Sequence, residues 1–313
     1  MKESFVKYLL CPGCRNSNFI LENKTEDDRE VRDADLVCQS CKKVYAIKRG
    51  LIFLYDTLSP EVLYEREAYA KDNATRFTKD DREVRMMQLS RENAFSVLAK
   101  ENDLKTKKIL ELGAANAWLS SYLAKSNDCV AMDMYYEKPN GLEAAEENMK
   151  TNNVFLERVV ADMIDLPFIN EAFDMVIICA ALHHSSNLAT TLNEIQRVLK
   201  DGGKLLLLNE PSNGMFGTNE RAIIDNDMVE GFNEERYSIL TWLRYVRQAG
   251  FQAKAYLPDN MSSVLSSRNH NFLAALWRSS FEKIKFIKSF LSLPILTVFD
   301  GFFNIVAIKA TKR

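Results

Sequence analysis

The sequence has 313 residues, of which 47% are hydrophobic and 27% are charged, and its formal net charge is −2. This length accommodates one large domain with a small one, or two medium domains, and the composition is ordinary for a soluble globular protein. The near-neutral charge excludes a chain-wide electrostatic attraction to nucleic acid or to a membrane surface.

The sequence lacks the patterns of a secretory signal and of a membrane span. Its first residues, "MKESFVKYLLCPGC", have no apolar core long enough for a signal. The most apolar later stretch, 286–310, is interrupted by Lys288, Pro294 and Asp300, so no transmembrane segment is predicted. These features predict a cytoplasmic protein, in which cysteines stay reduced unless they bind a metal.

Four of the six cysteines form two CxxC pairs near the start of the chain, namely Cys11, Cys14, Cys38 and Cys41. Two such pairs can present four thiolates to one tetrahedral Zn²⁺. The alternatives are a redox CxxC or buried structural thiols, but a redox site usually has one CxxC followed by a helix. We predict a structural zinc ion, because four sulfur ligands leave no open position for water.

Three segments are predicted along the chain. Residues 1–55 surround the cysteine pairs with short β-type pieces and form a β-rich module too small to build a core without a staple. Residues 56–104 form a linker of mixed charge and a helix, because apolar residues have helical spacing over 81–100. Residues 105–313 form the main domain.

Strand-like and helical patterns alternate in the main domain, which predicts an α/β fold with a parallel sheet covered on both faces. The strand-like runs are 107–112, 129–133, 156–161, 173–180, 204–209, 251–257 and 302–310. Helical spacing occurs at 117–126, 141–151, 188–200 and 237–250.

A helical insertion is predicted at about 262–299, before the last strand. Within it, residues 268–298 combine lysines and arginines with aromatic and aliphatic residues. We favour a helical pair that covers the core and the substrate pocket. A peripheral membrane contact through 268–298 and a polyanion contact are the alternatives.

The stretch "ILELGAANAW" (109–118) has the order of a nucleotide-binding turn. Gly113 can take an unusual backbone conformation directly after the first strand, and Ala115 is small enough for a ligand to approach. Asp133 ends the second strand, 22 residues after Glu111, where an acid accepts from ribose hydroxyls. A pyrophosphate favours further glycines. The turn therefore fits S-adenosylmethionine, which has no phosphate, better than NAD.

A second acidic residue supports this interpretation. Asp162 ends the third strand, where a carboxylate can accept from an adenine amino group, and Met163 flanks the ring. The predicted cofactor-binding residues are Glu111, Gly113, Ala114, Ala115, Asp133, Met134, Asp162, Met163 and Ala180.

The succession "LPF…FD…HH…E…RVLKDGG" resembles the class I S-adenosylmethionine-dependent methyltransferases, specifically the type 11 group, over residues 105–257. The resemblance implies a Rossmann-like seven-stranded sheet whose last strand is antiparallel. Two glycine positions of the family's loop are Ala115 and Ala117 here, and its PGG turn is Asp201-Gly202-Gly203. These are largely small-for-small exchanges.

The N-terminal module has its own resemblance. The string "CPGC…CQSCKKVYAIKRGLIFL" is similar to the Trm112-like zinc ribbon, which has CPxC, a spacer, CxxC and then Tyr-x-Ile leading into an apolar strand.

Three side chains at the carboxyl ends of strands are candidates for the proton-accepting base that a hydroxyl acceptor needs. His184 and His183 follow the fourth strand, and Glu210 follows the fifth. Histidine suits this role because its pKa is close to neutral pH. The resemblance implies that group members with different acceptors share this His-His pair. One of the two histidines can therefore equally be a packing residue.

The function predicted is an S-adenosylmethionine-dependent methyltransferase that O-methylates a saccharide-type or other small-molecule hydroxyl. One alternative is an RNA methyltransferase, which the near-neutral charge disfavours. The other is a non-catalytic cofactor-binding scaffold that uses the zinc ribbon to hold a partner.

Overall fold

One mixed sheet of eleven strands forms the framework of the protein, as seen in a computed structural model. The structure describes residues 1–58, 62–64, 66–67, 81–212, 237–256, 258 and 301–311. The predicted insertion at 262–299, with the predicted membrane contact at 268–298, lies outside these residues. Within the described part of the chain, no helix is both long and apolar enough to cross a membrane.

The strands and helices follow the predicted alternation. The strands are β1 (Phe19–Glu26), β2 (Val31–Cys38), β3 (Val44–Lys48), β4 (Leu51–Phe53), β5 (Lys108–Leu112), β6 (Asp128–Asp133), β7 (Glu157–Val160), β8 (Phe173–Cys179), β9 (Leu199–Ser212), β10 (Phe251–Tyr256) and β11 (Gly301–Lys309). The helices are α1 (Asp81–Ala99), α2 (Trp118–Leu123), α3 (Ala145–Asn152), α4 (Leu188–Val198) and α5 (Ile239–Gln248), with 3-10 turns at Glu3–Tyr8, Leu142–Ala144 and Leu182–His184.

Seven strands have the order β7-β6-β5-β8-β9-β11-β10. The first five of these pair in parallel, and β11 runs antiparallel to both β9 and β10. The predicted seven-stranded Rossmann-like sheet with an antiparallel last strand is therefore confirmed. In such a sheet the carboxyl ends of the parallel strands meet at one edge, where ligands bind.

The N-terminal β-rich region extends the same sheet, which the sequence pattern did not indicate. Strands β1 to β4 form an antiparallel meander, and β4 then pairs in parallel with β7, with Ile52 opposite Val159. The edge of the methyltransferase-type sheet next to β7 is thereby covered, which removes an exposed strand edge. The cysteine-bearing region and the main domain thus share one hydrogen-bonded framework.

Charged side chains are buried where these two regions meet. Arg158 on β7 has a fully buried side chain, and its Nη2 lies 2.8 Å from Glu30 Oε1 and 3.1 Å from the carbonyl oxygen of Arg49. Its Nη1 lies 3.3 Å from Glu146 Oε1. Gly50 is required beside them, because a Cβ there would lie 2.3 Å from Glu30 and its φ is +77°. Charges buried in this way must be paired.

Helices cover both faces of the sheet, as predicted. Apolar side chains of α1, α2 and α3 pack in one core cluster, and those of α4 and α5 pack in the other. Neighbouring residues of one strand contribute to opposite clusters: Ile109 faces the first and Leu110 the second. This alternation follows from the two-residue period of a strand.

Candidate functional site

The turn after β5 has three residues in the left-handed backbone region. Gly113, Ala115 and Ala117 have φ values of +66°, +47° and +54°. A Cβ at Gly113 would lie 2.2 Å from the Cβ of Ala181, so only glycine fits there. At the other two positions alanine carries a steric cost of about 1–2 kcal/mol in this region. The small size of these alanines is evident in the sequence, whereas the left-handed backbone conformation they hold is not.

Asp133, at the end of β6, holds this turn. Its Oδ2 accepts a hydrogen bond of 2.7 Å from the Ala115 N–H, and its Oδ1 accepts one of 2.8 Å from the Tyr135 N–H. Burial raises the pKa of Asp133 to about 6, although these backbone donors and His184 oppose the rise. The predicted ribose acceptor therefore lies beside the turn.

Glu111 lies beneath the turn, where it is 2% exposed. Its Oε2 accepts a 2.8 Å hydrogen bond from the Ser120 N–H and a second one from the Ser120 hydroxyl. Burial raises its pKa to about 7, and the nearby Asp133 carboxylate adds to the rise. Through these two hydrogen bonds Glu111 joins the end of β5 to the start of helix α2, on either side of the turn.

The remaining predicted cofactor residues line the same edge. Ala114 is buried, and its N–H donates to the Met132 carbonyl over 3.1 Å. Asp162 is half-buried and accepts a 3.1 Å hydrogen bond from the Ile164 N–H. Ala180 follows β8 with a φ of +53°. Met134 and Met163 are partly buried against the two core clusters, one on each face of the sheet.

Trp118 follows the turn and packs against helix α1. Its ring lies 5.8 Å from that of Phe95 on α1, and the Arg91 guanidinium lies 5.1 Å from its ring centre. Helix α1 therefore covers the start of α2.

Glu210 and His183 form a buried pair at the ends of β9 and β8. The Glu210 carboxylate is fully buried and accepts from the N–H groups of Ala181, Leu182 and His183 at 3.1, 3.0 and 3.3 Å. Its Oε2 also lies 2.9 Å from His183 Nδ1. An ionised carboxylate can only accept, so with Glu210 ionised the proton of this contact lies on Nδ1. We call these two residues the His–Glu pair.

His184 lies next to this pair and towards the cofactor turn. Its ring centre is 4.0 Å from that of His183 and tilted by 41°. It is half-buried, and it lies close enough to Asp133 to oppose the rise in that carboxyl's pKa. All three predicted base candidates are thus brought together at the carboxyl edge of the sheet.

The four predicted zinc ligands converge in the N-terminal region. All their Sγ atoms lie within 4.8 Å of one another, and two pairs, Cys11–Cys41 and Cys14–Cys38, are 3.6 Å apart. Tetrahedral zinc with bonds of about 2.3 Å places sulfurs about 3.8 Å apart, so the cluster fits this ion. Burial raises the pKa of Cys38, but the N–H groups of Cys41 and Ser40 together with the thiols of Cys14 and Cys41 outweigh it and lower the pKa to about 7.

A sheet of this order, with a small-residue turn after its first parallel strand and an acid after its second, defines a class I methyltransferase fold. Residues 110–207 match the family model described as methyltransferase domain.

Two curated relatives are similar to about a third of the chain. Demethylmenaquinone methyltransferase of Mycobacterium bovis is 34% identical over 114 residues, which are 36% of this chain and 45% of that protein. The demethylmenaquinone methyltransferase of Corynebacterium glutamicum is 35% identical over 120 residues, or 37% and 48% of the two chains. The chain spans less than half of the length of the curated relatives it matches.

Two solved structures share the fold over most of the chain. Phosphoethanolamine N-methyltransferase 2 of Haemonchus contortus, in complex with S-adenosyl-L-methionine, has a TM-score of 0.54 at 15% identity and covers 86% of this chain and 63% of its own. A chain from the complex between the Haloferax volcanii Trm112 methyltransferase activator and a methyltransferase has a TM-score of 0.52 at 18% identity, covering 80% and 97%. At these identities the likeness is one of fold.

Proposed function

We propose that this protein transfers the methyl group of S-adenosylmethionine to a hydroxyl group of a saccharide-type or other small-molecule acceptor. The cofactor would lie over the turn at 113–117, with its ribose at Asp133 and its adenine at Asp162. These assignments rest on the shared position of the turn and the two carboxylates at the carboxyl edge. When bound, this cofactor supplies an electrophilic methyl group on a positively charged sulfur.

The His–Glu pair carries the proposal of a hydroxyl acceptor. A hydroxyl must lose its proton as it accepts a methyl group, and a positioned base contributes about 10²–10⁴-fold to such a step. His183 offers a lone pair at Nε2, because Nδ1 is turned to the Glu210 carboxylate at 2.9 Å. We assign His183 as the proton acceptor.

Glu210 is assigned to orient that base. Its two oxygens already receive three backbone N–H groups besides the contact with His183. A carboxylate with this many donors has little capacity left for a substrate proton, and ionised it stabilises the imidazolium that forms on proton transfer. His184, beside Asp133, is then placed to contact the cofactor side of the pocket.

The acceptor class follows from charge and from the named relatives. The net charge of −2 gives no chain-wide attraction to the phosphates of RNA. Two of the similar proteins are named for small molecules, demethylmenaquinone and phosphoethanolamine. A small-molecule acceptor is therefore favoured over RNA.

We further propose that the cysteine cluster holds one structural zinc ion. Four thiolates would satisfy the ion fully, so its role is to fold the region that pairs with β7. One similar structure is titled as containing a Trm112 methyltransferase activator. In this chain, the cysteine-bearing region would support the methyltransferase domain from within the same polypeptide. A cytoplasmic location, where thiols remain reduced, is consistent with this role.

The proposal is tested by labelled-methyl transfer from S-adenosylmethionine into separate glycan, small-molecule and RNA pools. Label should enter a glycan or small-molecule pool and be stable as a methyl ether. His183→Gln should lower transfer by about 10²-fold or more while cofactor affinity is kept, and a larger loss in His184→Gln would move the base to that residue. Label only in RNA, or none with cofactor bound, would overturn the hydroxyl proposal.

A further inference from the structure

Three buried asparagines from distant parts of the chain meet behind the His–Glu pair. Asn93 on α1, Asn209 on β9 and Asn304 on β11 are 3%, 4% and 1% exposed. We call them the asparagine triad. No sequence motif connects them, and neither the proposed cofactor site nor the cysteine cluster includes them.

The triad is a closed network of amide hydrogen bonds. Asn93 Nδ2 donates to Asn209 Oδ1 over 2.6 Å and to Asn304 Oδ1 over 2.9 Å. Asn304 Nδ2 donates back to Asn93 Oδ1 over 3.0 Å, and Asn304 Oδ1 also accepts from the Asn209 N–H over 3.0 Å. Buried amide networks that are satisfied in this way rigidify the backbone that carries them.

The backbone held by this network is strained. Asn209 has a φ of +58° although it lies within strand β9. Its Nδ2 donates to the Ser90 carbonyl of α1 over 3.0 Å and lies 3.3 Å from Cys179 Sγ at the end of β8. A left-handed residue inside a strand persists only when its surroundings over-determine it, and such residues cluster at functional sites.

The residue that follows the strained position is Glu210. Its direction is set by the turn at Asn209, because the buried carboxylate belongs to the very next residue of the chain. A relaxed backbone at Asn209 would carry Glu210 away from the N–H groups it accepts from and from His183 Nδ1.

We propose that the asparagine triad is a positioning device for the His–Glu pair. By holding Asn209 in its left-handed conformation, the triad keeps Glu210 against His183 and so fixes which imidazole nitrogen carries the proton. Asn93, Asn209 and Asn304 are positioning residues and touch no reacting atom. This inference rests on the proposed function only in giving the pair a catalytic purpose.

Helix α1 connects the asparagine triad with the cofactor side of the site. The helix carries Asn93 of the triad and, two residues further, Phe95, whose ring lies 5.8 Å from that of Trp118 after the cofactor turn. One helix therefore contacts both the acceptor side and the donor side of the carboxyl edge.

The imidazole tautomer of His183 tests the proposal without any acceptor. The chain has three histidines, His183, His184 and His270, so long-range ¹H–¹⁵N spectra can be assigned with single His→Gln variants. In the wild-type protein, at a pH where the imidazole rings are neutral, the spectra should show that His183 is protonated at Nδ1 and not protonated at Nε2. Asn93→Leu keeps the branching at Cγ and removes two N–H donors and one acceptor from the triad. It should replace this signature with a mixture of tautomers.

A matched control separates positioning from general loss of stability. Asn127, at the opposite edge of the sheet, accepts from the Lys107 N–H over 3.1 Å and donates to the Leu104 and Leu123 carbonyls. Asn127→Leu removes a comparable set of amide bonds and should lower the melting temperature while the His183 signature stays as in the wild type.

The possible results distinguish the two proposals. An unchanged His183 signature in Asn93→Leu, with stability lowered as in Asn127→Leu, would overturn the positioning role. If Asn93→Leu does not fold, Asn93→Ala is measured instead, since it removes the same amide from the network without adding volume; an unchanged His183 signature there likewise overturns the positioning role. Absence of methyl transfer by the wild type would overturn the proposed function and leave the tautomer result intact.

Discussion

The backbone N–H of Ala115 donates to Asp133 Oδ2 over 2.7 Å while Ala115 holds a φ of +47°. A carboxylate at the end of β6 thus stabilises a conformation that alanine disfavours. The turn after β5 is shaped for glycine, although the sequence provides glycine only at its first position.

Ala115→Gly should therefore stabilise the protein. Relief of the left-handed strain, about 1–2 kcal/mol, exceeds the extra chain entropy of glycine in the unfolded state, about 0.4–1 kcal/mol. The free energy of unfolding in urea should rise by roughly 0.5–1 kcal/mol. Ala114→Gly is the control: Ala114 is buried and lies outside the left-handed region, so glycine there should destabilise. Equal destabilisation by both changes would contradict the account.

The methyltransferase sheet could be predicted from sequence because its buried strands are continuous apolar runs. Strand β6 was expected at 129–133 and spans Asp128–Asp133, and helix α4 was expected at 188–200 and spans Leu188–Val198. Strand β9 was expected at 204–209 but spans Leu199–Ser212. Its additional residues pair with β8 and β11, and the sequence pattern of a strand does not predict which other strands it pairs with.

Other features depend on contacts between distant segments and left no local signal. The parallel pairing of β4 with β7 joins residues more than one hundred positions apart, and a run of three residues at β4 indicates no partner. The left-handed backbone at Asn209 and the buried roles of Glu111 and Glu210 likewise became visible only when their neighbours were placed. The spacing of the four cysteines, by contrast, was sufficient to predict that their Sγ atoms lie close together.

The buried ion cluster between the cysteine-bearing region and the main domain should be strongly stabilising relative to its broken form. Arg158→Met keeps an unbranched apolar stem but leaves Glu30 and Glu146 without that cation. The loss should be about 3–5 kcal/mol in the free energy of unfolding, as expected for breaking a buried pair.

Arg15→Met provides the comparison for this change. The Arg15 side chain is 38% exposed and pairs with Asp165, which is 48% exposed, so its removal should cost less than about 1 kcal/mol. Comparable losses in the free energy of unfolding for Arg158→Met and Arg15→Met would show that burial does not increase the contribution of the cluster to stability.

Metal content gives a direct check of the cysteine cluster. Protein purified without chelator should contain about one zinc ion per chain by mass spectrometry of the metals. Cys38→Ser should lose most of the zinc and lower the melting temperature, because metal binding and folding are coupled. Cys129→Ala, which changes a buried cysteine on β6, should retain the metal. Zinc-free wild-type protein would refute the site.

Stability should depend on pH through Glu111. Burial raises its pKa from 4.5 to about 7. The folded state therefore binds more protons than the unfolded state between these values. The contribution of Glu111 to stability is fully present below pH 4.5 and is lost as the pH rises through about 7. The loss is roughly 3 kcal/mol at 1.36 kcal/mol per pKa unit.

Glu111→Gln isolates this contribution because glutamine does not titrate in the same window. Relative to the wild type, the variant should become more stable between pH 5 and pH 8 in urea unfolding, by up to roughly 3 kcal/mol. Other raised carboxyls, such as Glu157, titrate in both proteins and cancel in the difference. A difference that stays constant with pH would exclude a buried carboxyl with a raised pKa at this position.

Calorimetric titration of the zinc-loaded protein with S-adenosylmethionine tests the cofactor assignment most directly. We predict one cofactor per chain for the wild type and a loss of affinity of about 10-fold or more in Asp133→Ala, since hydrogen bonds to a charged group contribute about 1.5–3 kcal/mol. Arg15→Met should bind as the wild type does. No binding by the folded wild type, or unchanged affinity in Asp133→Ala, would contradict the account.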